Sequence, residues 1–177
     1  MSELTTALRD CGALQFGDFT LASGAKSEYY IDIKKASTNP QVLYMISSLI
    51  SEKMQDENLR PDRIAGVVLG SVPLAAALSL ATGIPYVMVR KEKKDHGTGK
   101  LIEGDLNPGD KVLVVEDVVT TAGSSIAAIK TLRENGAVVD TAMSVIDRES
   151  GGEENYAEIG VKFLSLVKAS EILKEKK

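Results

Sequence analysis

Apolar side chains recur along this chain with two periods, and each change of period marks a change of element. Leu4, Leu8 and Cys11 fall on one side of a helical repeat over residues 3–14. Residues 16–34 alternate instead and carry turn signals at Ser23-Gly24 and Ser27, which predicts strands or a hairpin. Pro40 opens a longer helical repeat running to about Asn58, with Val42, Ile46, Leu49, Ile50 and Met54 inward. Three short apolar runs, Ile64–Leu69, Tyr86–Arg90 and Lys111–Val115, read as strands, separated by a helix over Leu74–Ala81 and by a polar loop. A further helical repeat (Ile126, Ala127, Ile129, Leu132) stops at Asn135-Gly136. A strand at residues 138–146, another around Val161–Leu166 and a closing helix at Ala169–Lys176 complete the series. Strands alternating with helices predict an α/β protein with a doubly wound, mostly parallel sheet flanked by helices.

Composition narrows the class. The 177 residues suit one domain, able to bury on the order of 70% of its unfolded surface. A content of 44% hydrophobic and 26% charged residues is that of a soluble globular protein. The net charge of −4 argues against nucleic-acid binding, which usually needs a basic domain. One cysteine, Cys11, excludes an internal disulfide and a cysteine-based metal site. The N-terminus has no apolar signal region and no apolar run approaches about 18 residues, so a cytoplasmic protein without membrane association is expected.

Candidate chemistry concentrates first in Val112–Ser124. A buried strand ends in two adjacent carboxylates, Glu116 and Asp117, and is followed by Val118-Val119-Thr120-Thr121-Ala122-Gly123-Ser124 and a helix. Ligands of open α/β sheets bind outside the carboxyl ends of the strands. The loop opens a helix, so backbone N–H groups and the dipole can hold a phosphate, helped by the hydroxyls of Thr120, Thr121 and Ser124. The acid pair cannot serve that anion; it suits sugar hydroxyls, a divalent metal or developing positive charge. Together they describe a site for a phosphorylated ribose. An ordinary strand, turn and helix with solvated carboxylates would show the same pattern. No Gly-x-x-x-x-Gly-Lys-Ser/Thr run occurs, which weakens a nucleoside-triphosphatase reading.

The second concentration is Arg90-Lys91-Glu92-Lys93-Lys94-Asp95-His96-Gly97-Thr98-Gly99-Lys100, which holds five basic residues and the single histidine. No apolar side chain anchors it, so it is expected to be mobile until an anion orders it. Most charge runs are solvated loops. Beside a phosphate cradle, such a loop has a use: mobile cations neutralise a diphosphate leaving group, and closure excludes water.

The Val112–Ser124 run resembles the phosphoribosyl-diphosphate signature of the type I phosphoribosyltransferases. The charged loop is similar to the catalytic loop of the orotate phosphoribosyltransferases, whose Arg-Lys-Glu-x-Lys-Asp-His-Gly pattern is present at Arg90–Gly97. Phe19–Asp32 looks like that family's hairpin over the base, and Ser144–Glu149 like its Asp-Arg segment. The resemblance implies that family's fold with a small N-terminal hood. The hood would span about residues 1–35 with the C-terminal segment, and the core about 40–150, in one domain covering 1–177.

It also implies transfer of a 5-phosphoribosyl group from phosphoribosyl diphosphate to orotate, in de novo pyrimidine synthesis. Carried over by position, Arg90, Lys91, Lys94 and His96 would contact diphosphate, with Lys94 and His96 assisting its departure. Glu116 and Asp117 would hold the ribose hydroxyls, with Asp117 catalytic, and residues Val118 to Ser124 the 5′-phosphate. Thr120 and Arg148 would meet orotate, and Tyr30 and Ile31 would lie against its ring. Magnesium would be held mainly through substrate and water, and a homodimer would share its active sites through the loop. Arg148 follows an apolar strand, where a guanidinium suits a planar carboxylate ligand, although an ion pair with Asp147 or Glu149 is the alternative.

Three positions depart from the pattern. Ala122 stands where many relatives have glycine, Ala22 where many bacterial members have lysine, and Leu69-Gly70-Ser71-Val72-Pro73 lacks a lysine that some members carry. These departures bear on diphosphate affinity more than on the reaction. The competing readings are a purine or uracil phosphoribosyltransferase and a non-catalytic phosphoribosyl-diphosphate sensor, for whose usual DNA-binding module 177 residues leave no room.

Overall fold

A computed structural model describes residues 3–20, 26–91 and 100–174. Helix α1 (Glu3–Asp10) leads into strands β1 (Leu14–Thr20) and β2 (Lys26–Ile31), then helices α2 (Ile33–Ser37) and α3 (Pro40–Asp56). Strand β3 (Arg63–Val67), helix α4 (Val72–Thr82) and strands β4 (Tyr86–Val89) and β5 (Ile102–Glu103) follow. The second half comprises β6 (Lys111–Val119), α5 (Gly123–Glu134), β7 (Val138–Asp147), α6 (Gly152–Glu158), β8 (Lys162–Lys168) and α7 (Ala169–Lys174).

The central sheet has the order β5-β4-β3-β6-β7-β8, parallel throughout except for the antiparallel edge strand β5. Its central strands β3, β6 and β7 bury both faces, and successive residues go to opposite sides. Ile64, Leu113, Val115, Met143 and Val145 pack with Ile46 and Ile50 of α3 and Leu74 and Leu78 of α4. Ala65, Val67, Val112, Val114 and Ala142 pack on the other face with Ile129 and Leu132 of α5 and Tyr156 of α6. The predicted doubly wound, mostly parallel sheet is therefore present. The β1–β2 hairpin forms a separate antiparallel pair beside α1, and its tip at Ser23-Gly24 lies outside the described residues.

Several boundaries differ from the sequence expectation, for local reasons. The first helix stops at Asp10, not residue 14, because Gly12 takes φ +72 and Ala13 N–H turns back to Leu8 O. The alternating run expected to reach residue 34 ends at Ile31, where the Asp32 carboxylate accepts from Lys35 N–H and starts α2. Helix α6 and strand β5 are too short to show a period and were not expected. Strand β6 does not end at Val115; it continues through both carboxylates to Val119, paired only with β7 beyond that point.

Candidate functional site

Strand order locates the site. From β3 the chain passes through α4 to β4 on one side, then crosses to β6 on the other side of β3. The direction of winding thus reverses between β3 and β6, the switch point where an open α/β sheet leaves a crevice at its strand exits. Pairing of β3 with β6 ends at Gly66 and Val115. Beyond it lies a cavity of about 340 Å³ lined by Val67–Gly70, Lys34, Lys91, Glu116, Asp117, Val118 and Ser124. The Val68–Leu69 peptide in its wall is cis. A second cavity of about 270 Å³ adjoins it, lined by Glu116 and residues 118–125.

Because β6 extends past the crevice, alternation separates the two acids. Glu116 continues the series of Val112 and Val114 and is buried; Asp117 continues that of Leu113 and Val115 and is half-buried. Burial is the main reason the Glu116 carboxyl is pushed up to about 7, with the Asp117 charge adding and a hydrogen bond from Ser71 Oγ opposing. Asp117 Oδ1 accepts from Val118 N–H at 2.9 Å, and its Oδ2 lies 4.0 Å from Lys34 Nζ. A Cβ at Gly70 would displace this carboxylate, so glycine lets Asp117 lie close against the loop backbone.

The loop after β6 is built as an anion cradle. Ala122 precedes α5 in the left-handed region, φ +62, and its methyl provides no side-chain cap. The first intrahelical bond is Ile126 N–H to Ala122 O, leaving the preceding N–H groups to face the second cavity. Thr120, Thr121, Gly123 and Ser124 are exposed around it. Helix α6 braces this loop from behind. Asn155 Nδ2 donates to Thr121 O at 2.9 Å, the Tyr156 hydroxyl meets Ser125 Oγ, and a Cβ at Gly152 would strike Val119 and Thr120. Burial raises the Tyr156 pKa, which keeps that hydroxyl protonated.

Arg148 follows β7, and its N–H donates to Val119 O at 2.9 Å, so it sits beside the cradle. Its guanidinium lies over the Tyr29 ring, 4.9 Å from the centroid. Among the described residues it makes no ion pair: the Asp147 carboxylate accepts from Glu149 N–H, and the Glu149 carboxylate from Ser170. Tyr29 is buried beneath the guanidinium, Tyr30 is exposed with its ring 5.7 Å from that of Phe19, and Ile31 is buried.

Of the charged loop, Arg90, Lys91 and Lys100 are described. Arg90 Nε bonds Glu103 at 3.2 Å on β5, and Arg90 and Lys91 line a further cavity with Gly123 and Ser124. Lys94 and His96 lie outside the described residues. Lys34, Gly70, Ser71, Asn155 and Tyr156 were not anticipated as site residues. Only Gly70 and Ser71 sat in a segment already flagged, and the rest carry no local signal because their partners are distant in sequence.

An acid pair between an uncapped helix N-terminus and a strand-exit arginine defines a site of phosphoribosyltransferase type, and the family model of the phosphoribosyl transferase domain matches residues 33–169. The orotate phosphoribosyltransferase of Pyrococcus horikoshii is 54% identical over 172 residues, 97% of this chain and 92% of that protein. The crystal structure of orotate phosphoribosyltransferase from Aeropyrum pernix superimposes with a TM-score of 0.88 at 36% identity, covering 98% of this chain and 97% of that one. That of Mycobacterium tuberculosis orotate phosphoribosyltransferase in complex with phosphoribosyl diphosphate gives 0.79 at 30% identity, covering 96% of each chain. The chain belongs to the phosphoribosyltransferase family of enzymes, and within it to the orotate phosphoribosyltransferases.

Proposed function

We propose that the protein transfers the 5-phosphoribosyl group of phosphoribosyl diphosphate to orotate, releasing diphosphate and orotidine 5′-monophosphate. The observation that carries this reading is the row of groups along the switch-point crevice: anion cradle, acid pair, and an arginine without an ion pair among the described residues. The cradle at residues 120–124 holds the 5′-phosphate. Asp117, the more exposed acid, and Glu116 hold the ribose hydroxyls. Positive charge developing at the anomeric carbon is stabilised by the Asp117 carboxylate, without a covalent intermediate. Arg148 pairs with the orotate carboxylate beside Thr120, while Tyr30 and Ile31 of the hairpin hood close over the ring.

Arg90, Lys91, Lys94 and His96 gather on the departing diphosphate. Asp117 offers hard oxygen donors at the crevice, which suit magnesium bound largely through substrate oxygens and water. Magnesium, when bound, would neutralise the diphosphate. We assign the reaction to the cytoplasm, and the working unit to a homodimer in which the charged loop serves the neighbouring site. Large apolar side chains exposed on neighbouring helices, Tyr44 on α3 and Leu80 on α4, support subunit contact.

The test is an assay for orotidine 5′-monophosphate from orotate, phosphoribosyl diphosphate and magnesium, with uracil and adenine as competing bases. Turnover with orotate alone is expected, and Asp117→Asn should lower it by about a hundredfold or more in a folded protein. Turnover with another base would reassign the substrate, and near-native turnover in the mutant would remove Asp117 from the reaction.

A further inference from the structure

Two cations among the described residues line the crevice, Lys91 and Lys34, and only the first belongs to a motif. Lys34 is carried by α2, whose position is set by the buried side chains of Ile33 and Ala36 and by the Asp32 cap. Its own side chain is 63% exposed and extends toward Asp117, 4.0 Å from Oδ2. An ion pair that open adds little to stability. The geometry therefore gives Lys34 a fixed base and a free head above the ligand crevice, with no structural duty that would occupy it.

The remaining walls give that head a use. The loop after β3 brings bare backbone to this wall at Gly70, where a Cβ would displace the Asp117 carboxylate. Apart from the two lysines, the charged groups in the crevice lining are the carboxylates Glu116 and Asp117, which repel an anion. The order of groups identifies which anion Lys34 meets. The cradle at one end takes a terminal phosphate, and Lys34 is absent from its lining. The acid pair takes the sugar, so the group on the sugar's other carbon lies beyond the pair, among Gly70, Lys91 and Lys34.

We infer that Lys34 is a diphosphate-binding residue, reaching from α2 past Asp117 to the leaving group and filling the place of a cation that the Leu69–Pro73 loop lacks. This deepens the proposed function and rests on it. When Asp117 turns to the ribose hydroxyls, the ammonium is released to the diphosphate oxygens.

The experiment is calorimetric titration of magnesium diphosphate and, separately, ribose 5-phosphate into native protein, Lys34→Met, Lys34→Arg and Lys35→Ala. Lys35 is the control: it removes the same charge from the same helix, but its ammonium lies beside Gly12. Lys34→Met should weaken diphosphate by roughly tenfold or more, the loss of one charge-assisted hydrogen bond. Ribose 5-phosphate affinity should stay within about twofold, which also reports a folded cradle. Lys34→Arg should recover most of the loss, and Lys35→Ala should match native protein on both ligands. A smaller diphosphate loss, or an equal loss for ribose 5-phosphate, overturns the assignment of Lys34 alone. Native protein that binds neither ligand overturns the proposed function beneath it.

Discussion

At Arg148 the neighbours determine what the guanidinium is free to do. Both adjacent acids are engaged elsewhere, and the flat face rests on Tyr29, leaving the N–H fork without an ion pair among the described residues. Arg148→Ala should therefore weaken orotate far more than phosphoribosyl diphosphate, by about 2–5 kcal/mol in a buried site. That is about thirty-fold to several-thousand-fold in kcat/KM for orotate, and Lys at this position should restore only part. An equal effect on both substrates would give Arg148 a supporting role for the cradle instead. Glu116 makes a different prediction. Its carboxyl titrates near 7 when folded, above its ordinary value of 4.5. Between those values the folded chain holds a proton that the unfolded chain has lost, so stability declines as pH rises through this window. Glu116→Gln cannot ionise and should remove that decline. In denaturant titrations the variant should match native protein near pH 4 and exceed it at pH 8 by up to about 3 kcal/mol. A parallel pair of pH profiles would show that Glu116 ionises normally.

The element that concentrates strain is the start of α5. Ala122 holds φ +62 although it is not glycine, and its side chain is buried. The left-handed conformation costs about 1–2 kcal/mol. Glycine would relieve it but would lose roughly 0.8 kcal/mol of methyl burial and about 0.5–1 kcal/mol in chain entropy. Ala122→Gly is thus expected to lie within about 1 kcal/mol of native stability. A β-branched side chain fits this conformation poorly, so Ala122→Val should destabilise by about 2 kcal/mol or more and raise KM for phosphoribosyl diphosphate. Thermal melts with steady-state kinetics check both. A stable Ala122→Val with unchanged KM would show that the cradle does not depend on this conformation. The bracing by Asn155 and Tyr156 of α6 explains how the chain keeps the strained form, since it holds the loop at Thr121 and Ser125 on either side.

For the whole molecule, the winding reversal at β3 and β6 opens one crevice, and nearly every candidate group is a strand exit or loop facing it. The charged loop leaves this region at Lys91, so it starts at the crevice wall. If it serves the partner's site, Lys94→Ala and Asp117→Asn chains, each inactive alone, should regain activity when mixed into heterodimers. Statistical pairing makes half of the dimers mixed, with one intact site in each, so about a quarter of native activity is expected. Heterodimers that stay inactive would indicate sites completed within one chain.

The sequence by itself determined the class of fold and the chemical theme. Periods of two and near 3.6 record which face of a strand or helix is buried, and long elements such as α3, α5 and β7 repeat the signal often enough to be read. The acid pair, the phosphate loop and the charged loop were legible because each is contiguous and its residue types have few uses outside that chemistry. Short elements were not: α2, β5 and α6 end before a period can declare itself. Nor was the true end of β6, since carboxylates in a strand interior look like a terminus until β7 is seen to pair with them. Only the tertiary structure decided that Asp117 lies against Gly70, that Ser71 reaches Glu116, that Tyr29 supports Arg148, and that Lys34 hangs over Asp117. Each of those contacts joins residues more than forty positions apart, where the distance in space is set by sheet order and packing and leaves no trace in local pattern.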